Sequence, residues 1–178
     1  MKPRLATAWL GGCSGCHMSF LDLDERILEL VAKADLVFSP IMDAKEFPEG
    51  VDITLVEGAV ANEDHLRHAK IIRERTHILV SFGDCAVNGN VTAMRNSLGS
   101  AGSVLDRVYL DPRMLHPALP YEPGIVPALL DRVRPLHEIV PVDFFLPGCP
   151  PSADLIWFVL SELCEGRTPD LTGKLRYG

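Results

Sequence analysis

The chain has 178 residues, of which 47% are apolar and 23% charged, and it carries a formal net charge of −7. That composition is ordinary for a globular protein, and the negative balance argues against nucleic acid or an anionic membrane as the main partner. No apolar run approaches the ~20 residues that a membrane-spanning helix needs, so one domain over residues 1–178 is expected, able to bury roughly 70% of its unfolded surface.

In chain order, Leu5–Leu10 is a short apolar run that reads as a β-strand, followed by a cysteine-bearing turn. Lys2 and Arg4 before the run and Cys13 behind it give a faint likeness to a lipoprotein leader. Its apolar stretch is at the lower limit for such a leader, and Trp9 with Gly11-Gly12 fits a strand and turn better. No twin-arginine leader is present either, and a cytoplasmic location is expected. Phe20, Leu21, Leu23, Ile27, Leu28, Leu30 and Val31 then recur at helical spacing, with Ser19 as the expected N-cap and Asp22, Asp24 and Glu25 in the early turns.

Asp35–Ser39 reads as a short strand ended by Pro40, and Val51–Val56 as another. Asn62 is placed to cap a helix running to about Arg75. His77–Phe82 and Val142–Leu146 read as buried strands; Ser152 caps a last helix that reaches about Glu165, and Gly166 stops it. Strand and helix alternate, which predicts an α/β protein of the flavodoxin-like kind: a doubly wound parallel sheet with helices on both faces. The stretch from about 98 to 141 is rich in proline, and a helix is expected there only around Ile125–Val133. Long proline-rich connections are usually functional. With Tyr109, Met114, Leu115, Leu119 and Tyr121 in it, this one reads as a partner-contacting surface.

Three strand-ending turns carry cysteines: Gly12-Cys13-Ser14-Gly15-Cys16, Gly83-Asp84-Cys85 and Gly148-Cys149-Pro150-Pro151. The carboxyl ends of parallel strands share one edge, where ligands collect, so the turns are predicted to bring four thiolates together. A [4Fe–4S] cluster suits four convergent thiolates best. Structural zinc sites usually show two short Cys-x2-Cys knuckles, whereas only the first pair here has that form. A disulfide framework is not expected in a chain of this length. Cys164, inside the apolar pattern of the last helix, reads as a small hydrophobe rather than a ligand.

The string from Trp9 to Asp22 resembles the opening of a [NiFe]-hydrogenase small subunit. Val56-Glu57-Gly58-Ala59-Val60, Gly83–Gly89 and Pro147–Pro151 are similar to later motifs of that family, in the same order. Gly58–Asp64 and Ser81–Arg95 are most similar to the cytoplasmic, bidirectional, NAD-reducing group. The resemblance implies that Cys13, Cys16, Cys85 and Cys149 hold the proximal [4Fe–4S] cluster. It also implies that the nickel–iron centre lies in a separate large subunit and that a diaphorase module with FMN and further clusters exchanges electrons with NAD. No ligands remain here for the extra clusters that many family members carry. Whether a second FMN sits on this subunit stays open.

Within that frame Gly12, Gly15, Gly83 and Gly148 are expected to let backbone amides approach the cluster, though turn glycines need no such role. Glu57 follows a strand and is read as a proton relay or a hydrogen-bonding group at the same edge, against a merely solvated carboxylate. His17 is read as contacting a cluster sulfide or the partner, against an ordinary loop histidine. Met18 stands where hydrogenase small subunits often have glutamate. Rival assignments are a deazaflavin- or heterodisulfide-linked hydrogenase subunit, a cluster-bearing subunit of an NADH:quinone oxidoreductase, and a flavodoxin-like FMN carrier. Against the last, the first strand-to-helix loop has two cysteines and lacks a Ser/Thr-rich phosphate cradle.

Overall fold

The apolar runs become strands in the computed structural model, which describes residues 2–175. They are β1 (Arg4–Trp9), β2 (Asp35–Phe38), β3 (Val51–Glu57), β4 (Val60–Asn62), β5 (Thr76–Phe82), β6 (Leu129–Arg134) and β7 (Phe144–Leu146). Five of them form one sheet in the order β2-β1-β3-β5-β7, and every pairing in it is parallel. The order reverses between β1 and β3, which is the switch point of a doubly wound sheet. The helices are α1 (Gly15–Leu21), α2 (Arg26–Lys33), α3 (Glu63–Arg75), α4 (Asp84–Asn88), α5 (Asn90–Ala93), α6 (Ala101–Tyr109) and α7 (Ala153–Cys164).

Central strands of a parallel sheet are covered on both faces, and successive side chains serve opposite layers. Leu5, Ile53, Leu55, Val80 and Phe82 join Phe20 of α1, Leu30 of α2, and Ile156 and Leu160 of α7 in one core. Ala6, Ala8, Val56 and Leu79 pack with Ala69 and Ile72 of α3 and with Leu136 in the other. Each fully buried aliphatic side chain contributes about 1.5–3 kcal/mol. Helix ends are stopped chemically. Asn62 Oδ1 accepts from the His65 amide at 2.8 Å, and Ser152 Oγ from the Leu155 amide at 3.3 Å. After α7, Gly166 takes a left-handed φ of 73°, and the Arg167 amide reaches the Glu162 carbonyl at 2.9 Å.

Several local expectations change. The helix expected from Phe20 to Val31 is two helices, broken at Asp24, whose φ is 55°; aspartate is among the few side chains that tolerate that region. The break swings the chain so that Leu23 and Leu30 enter the same core. Ser19 caps nothing: it lies inside α1 and donates its hydroxyl to the Pro151 carbonyl at 2.5 Å. The strand expected at Val142–Leu146 shortens to β7 at the sheet edge, where Phe145 remains exposed.

In the proline-rich stretch the helix expected around Ile125–Val133 is instead β6, antiparallel to β4, and α6 forms upstream of it with Ser100 as its cap. Tertiary pairing overrides local propensity here. Val133 is buried against Ala59 and Ala61. The Asn96 side chain accepts from the Val133 amide at 2.8 Å and donates to its carbonyl at 2.9 Å, standing in for a third strand. Because the Asn62 side chain caps the third amide of the long helix α3, Asn62→Ala is expected to lower stability by about 1 kcal/mol while Asn62→Asp holds it. The check is the midpoint of chemical unfolding for both variants.

Candidate metal centre

Parallel register carries one row of residues across four strands. Trp9 lies opposite Glu57, Glu57 opposite Phe82, and Phe82 opposite Leu146. These four end their strands at the same edge. Cys13 follows Trp9 by four positions, and Cys85 and Cys149 follow Phe82 and Leu146 by three each. The turns behind the row therefore present their cysteines to one opening. Cys16 and Cys85 form its buried wall, and Cys13 and Cys149 its exposed rim.

Glu57 is the centre of that row and is only 2% exposed. Its carbonyl accepts from the Leu10 amide at 2.7 Å. Its carboxylate accepts from the amides of Cys16 at 3.4 Å and His17 at 3.0 Å, and it pairs with His17 Nδ1. Ser14, at the N-cap of α1, makes no side-chain cap. The second and third amides of that helix are thus satisfied from a neighbouring strand, and Glu57 grips both ends of the first cysteine turn. A solvated carboxylate is not what the chain contains. His17 lies on the helix rather than in a loop, 4% exposed. Its ring sits edge-on to Trp9 with centroids 5.2 Å apart, and its Nε2 has no hydrogen-bond partner among the described residues.

The four glycines differ in what they do. Gly83 has φ 80°, and a Cβ there would collide with Cys16 Sγ. Gly148 has φ 138°, and a Cβ would meet the Pro151 backbone at 2.7 Å. Their own amides are engaged elsewhere: Gly83 donates to the Leu146 carbonyl at 2.8 Å and Gly148 to Asp84 Oδ1 at 2.7 Å. The Gly15 amide does face a thiol, reaching Cys13 Sγ at 3.4 Å. Gly12 meets only ordinary contacts, the nearest being Gly58 Cα at 3.4 Å.

Two residues that sequence reasoning passed over lie on α5. Asn90 Nδ2 donates to Cys149 Sγ at 3.3 Å. Thr92 donates to the Gly11 carbonyl at 3.2 Å and also hydrogen-bonds the Cys85 side chain. Their signal was present in the string Cys85–Thr92, which offers short polar side chains five and seven residues beyond a candidate ligand. Cys164 stands apart, half-buried against the α7 core.

Burial raises the pKa of the Cys16 thiol far above its usual value, and Glu57 and the other three cysteines raise it further. Burial also raises that of Cys85, partly offset by the Thr92 hydrogen bond, with Cys13, Cys149 and Glu57 adding to the rise. Each thiolate opposes the others, so only a cation placed among them stabilises all four. Among the described residues no group of three or more His, Cys, Asp or Glu side chains converges on a point suited to a single metal ion. Four thiols brought to one edge are a donor set that suits a larger, polynuclear metal group.

Comparison with known proteins gives the class. The family described as the NADH ubiquinone oxidoreductase 20 kDa subunit matches residues 13–163, and the chain belongs to it. Membership implies iron–sulfur binding. Within the family the chain is homologous to hydrogenase small subunits. It is 41% identical to the delta subunit of the NAD-reducing hydrogenase HoxS of Cupriavidus necator, an alignment covering 98% of this chain and 84% of that one. It is 38% identical to a subunit of the F420-non-reducing hydrogenase of Methanothermobacter marburgensis, over 96% of this chain and 56% of that one. A chain of the H2-reduced NAD+-reducing [NiFe]-hydrogenase superposes with a TM-score of 0.93 at 42% identity, over 100% of both chains. A chain of the Ni-Fe-Se hydrogenase of Desulfomicrobium baculatum, 17% identical with a TM-score of 0.60, shares the fold.

The geometry separates the glycines experimentally. Gly83→Ala must displace Cys16 Sγ and is expected to lose its metal, whereas Gly12→Ala keeps it. Metal content per purified chain, measured anaerobically, checks both.

Proposed function

We propose that this chain is the electron-transfer small subunit of a soluble NAD-reducing [NiFe]-hydrogenase, holding one [4Fe–4S] cluster on Cys13, Cys16, Cys85 and Cys149. The observation that supports it most is the register row Trp9–Glu57–Phe82–Leu146, which sets three cysteine turns at one edge. When bound, the cluster supplies a one-electron relay between the nickel–iron site of the large subunit and the FMN and clusters of a diaphorase module. The net reaction is H2 + NAD+ = NADH + H+. This chain's residues hold the cluster, bury two of its corners and present the other two at the surface. Glu57 and His17 hold the Cys16 turn in place.

The segment from about 98 to 141 fits a face covered by partners. Leu115, Tyr121 and Ile125 are 89%, 81% and 76% exposed, apolar side chains that a partner surface would cover. Among the described residues no helix is long and apolar enough to cross a membrane, and unpaired cysteines suit the reducing cytoplasm. A hydrogenase linked to heterodisulfide rather than to NAD is the second reading; the identity to the F420-non-reducing hydrogenase subunit of Methanothermobacter marburgensis favours it over a deazaflavin-linked one.

Replacing Cys13, Cys16, Cys85 or Cys149 by Ala is expected to remove most cluster iron, and Cys164→Ala to retain it. In the intact complex, Cys149→Ala should abolish H2-dependent NAD+ reduction while NADH oxidation by an artificial acceptor continues. Full iron in any of the four variants, or H2-driven NADH formation at the wild-type rate in Cys149→Ala, would overturn the assignment.

A further inference from the structure

Asn90 occupies a costly position. Its φ is 35°, directly after Gly89 at 88°, in a left-handed region that most side chains avoid. Asparagine is among the few side chains that enter that region, and the turn is held from outside: the Asn90 backbone amide donates to Asn88 Oδ1 at 2.8 Å. These two left-handed residues join α4, which carries Cys85, to α5. The turn aims the Asn90 side chain across to the third cysteine turn, where Nδ2 meets Cys149 Sγ at 3.3 Å.

The geometry points to Asn90 as a residue that sets the reduction potential of the cluster, by donating an N–H···S hydrogen bond to its Cys149 corner; this rests on the cluster proposed above. A donor at a ligating sulfur stabilises the more negative, reduced state and so raises the potential. Cys149 is an exposed corner, unlike Cys16 and Cys85. Water reaches such a sulfur in the free chain, but a partner seated on this edge excludes it. The Asn90 amide is then a fixed donor that remains. Aspartate would fit the same backbone, yet its carboxylate would bring an acceptor and a negative charge to the sulfur.

The test uses the complex purified anaerobically through a tag on this chain, with redox titration followed by electron paramagnetic resonance, and iron counted in parallel. Asn90→Gly keeps the left-handed backbone and removes the donor. It is expected to retain full iron and to shift the cluster's reduction equilibrium about tenfold toward the oxidised form, about 59 mV for one electron. Asn90→Asp is expected to move it further the same way. An unmoved midpoint in both variants, with the cluster intact, would overturn the role of Asn90 and leave the proposed function standing. Loss of iron in Asn90→Gly would overturn it too, making Asn90 part of the scaffold. Absence of a cubane signal in the wild-type complex would overturn both proposals.

Discussion

Parallel pairing of β1, β3, β5 and β7 puts Trp9, Glu57, Phe82 and Leu146 in one transverse row, and nearly everything else at the candidate centre depends on that register. A slip of one residue in a strand would exchange the side chains it gives to the two cores, as the side-chain period is two. Leu55 and Val56, both fully buried on opposite faces, show how firmly each strand is locked. The same apolar packing that stabilises the sheet therefore fixes where the cysteine turns begin. Short turns then transmit that position to the thiols with little slack.

Two kinds of device finish the work. Glycines make room: Gly83 cannot carry a side chain without displacing Cys16 Sγ. Glu57 provides tension, since its carbonyl and carboxylate bind the chain before and after the Cys13–Cys16 turn. A buried carboxylate left unpaired would be strongly unfavourable, and three donors converge on this one. That arrangement supports the hydrogen-bonding reading of Glu57.

Much of this was legible in the sequence. The apolar runs that became β1, β3 and β5, the caps Asn62 and Ser152, and the three Gly-Cys turns follow from local chemistry, and so does the edge they share. What the sequence hid is non-local. β6 exists because it pairs with β4 and because Asn96 bonds both polar groups of Val133; no local pattern at Leu129–Arg134 announces those partners. Ser19 had a good cap identity, yet Glu57, on a strand, satisfies the second and third amides of α1. The split between α1 and α2 depended on Asp24 entering a left-handed conformation, a choice made by the packing of Leu23.

The proposed electron path follows from the asymmetry of the four corners. Cys16 and Cys85 lie inward, against Glu57 and the α1 end of the core, while Cys13 and Cys149 face outward. An electron relay needs this compromise. Buried corners hold water away and keep the surroundings rigid, so that little reorganises when charge arrives; exposed corners let a partner's centre approach closely. On the proposed cluster, protein groups would act with opposite sign: the Glu57 carboxylate lies beside the Cys16 turn, and the Gly15 and Asn90 donors face the sulfurs of Cys13 and Cys149. A fold that fixes both sets of groups by strand register and left-handed turns can hold a potential constant without any moving part.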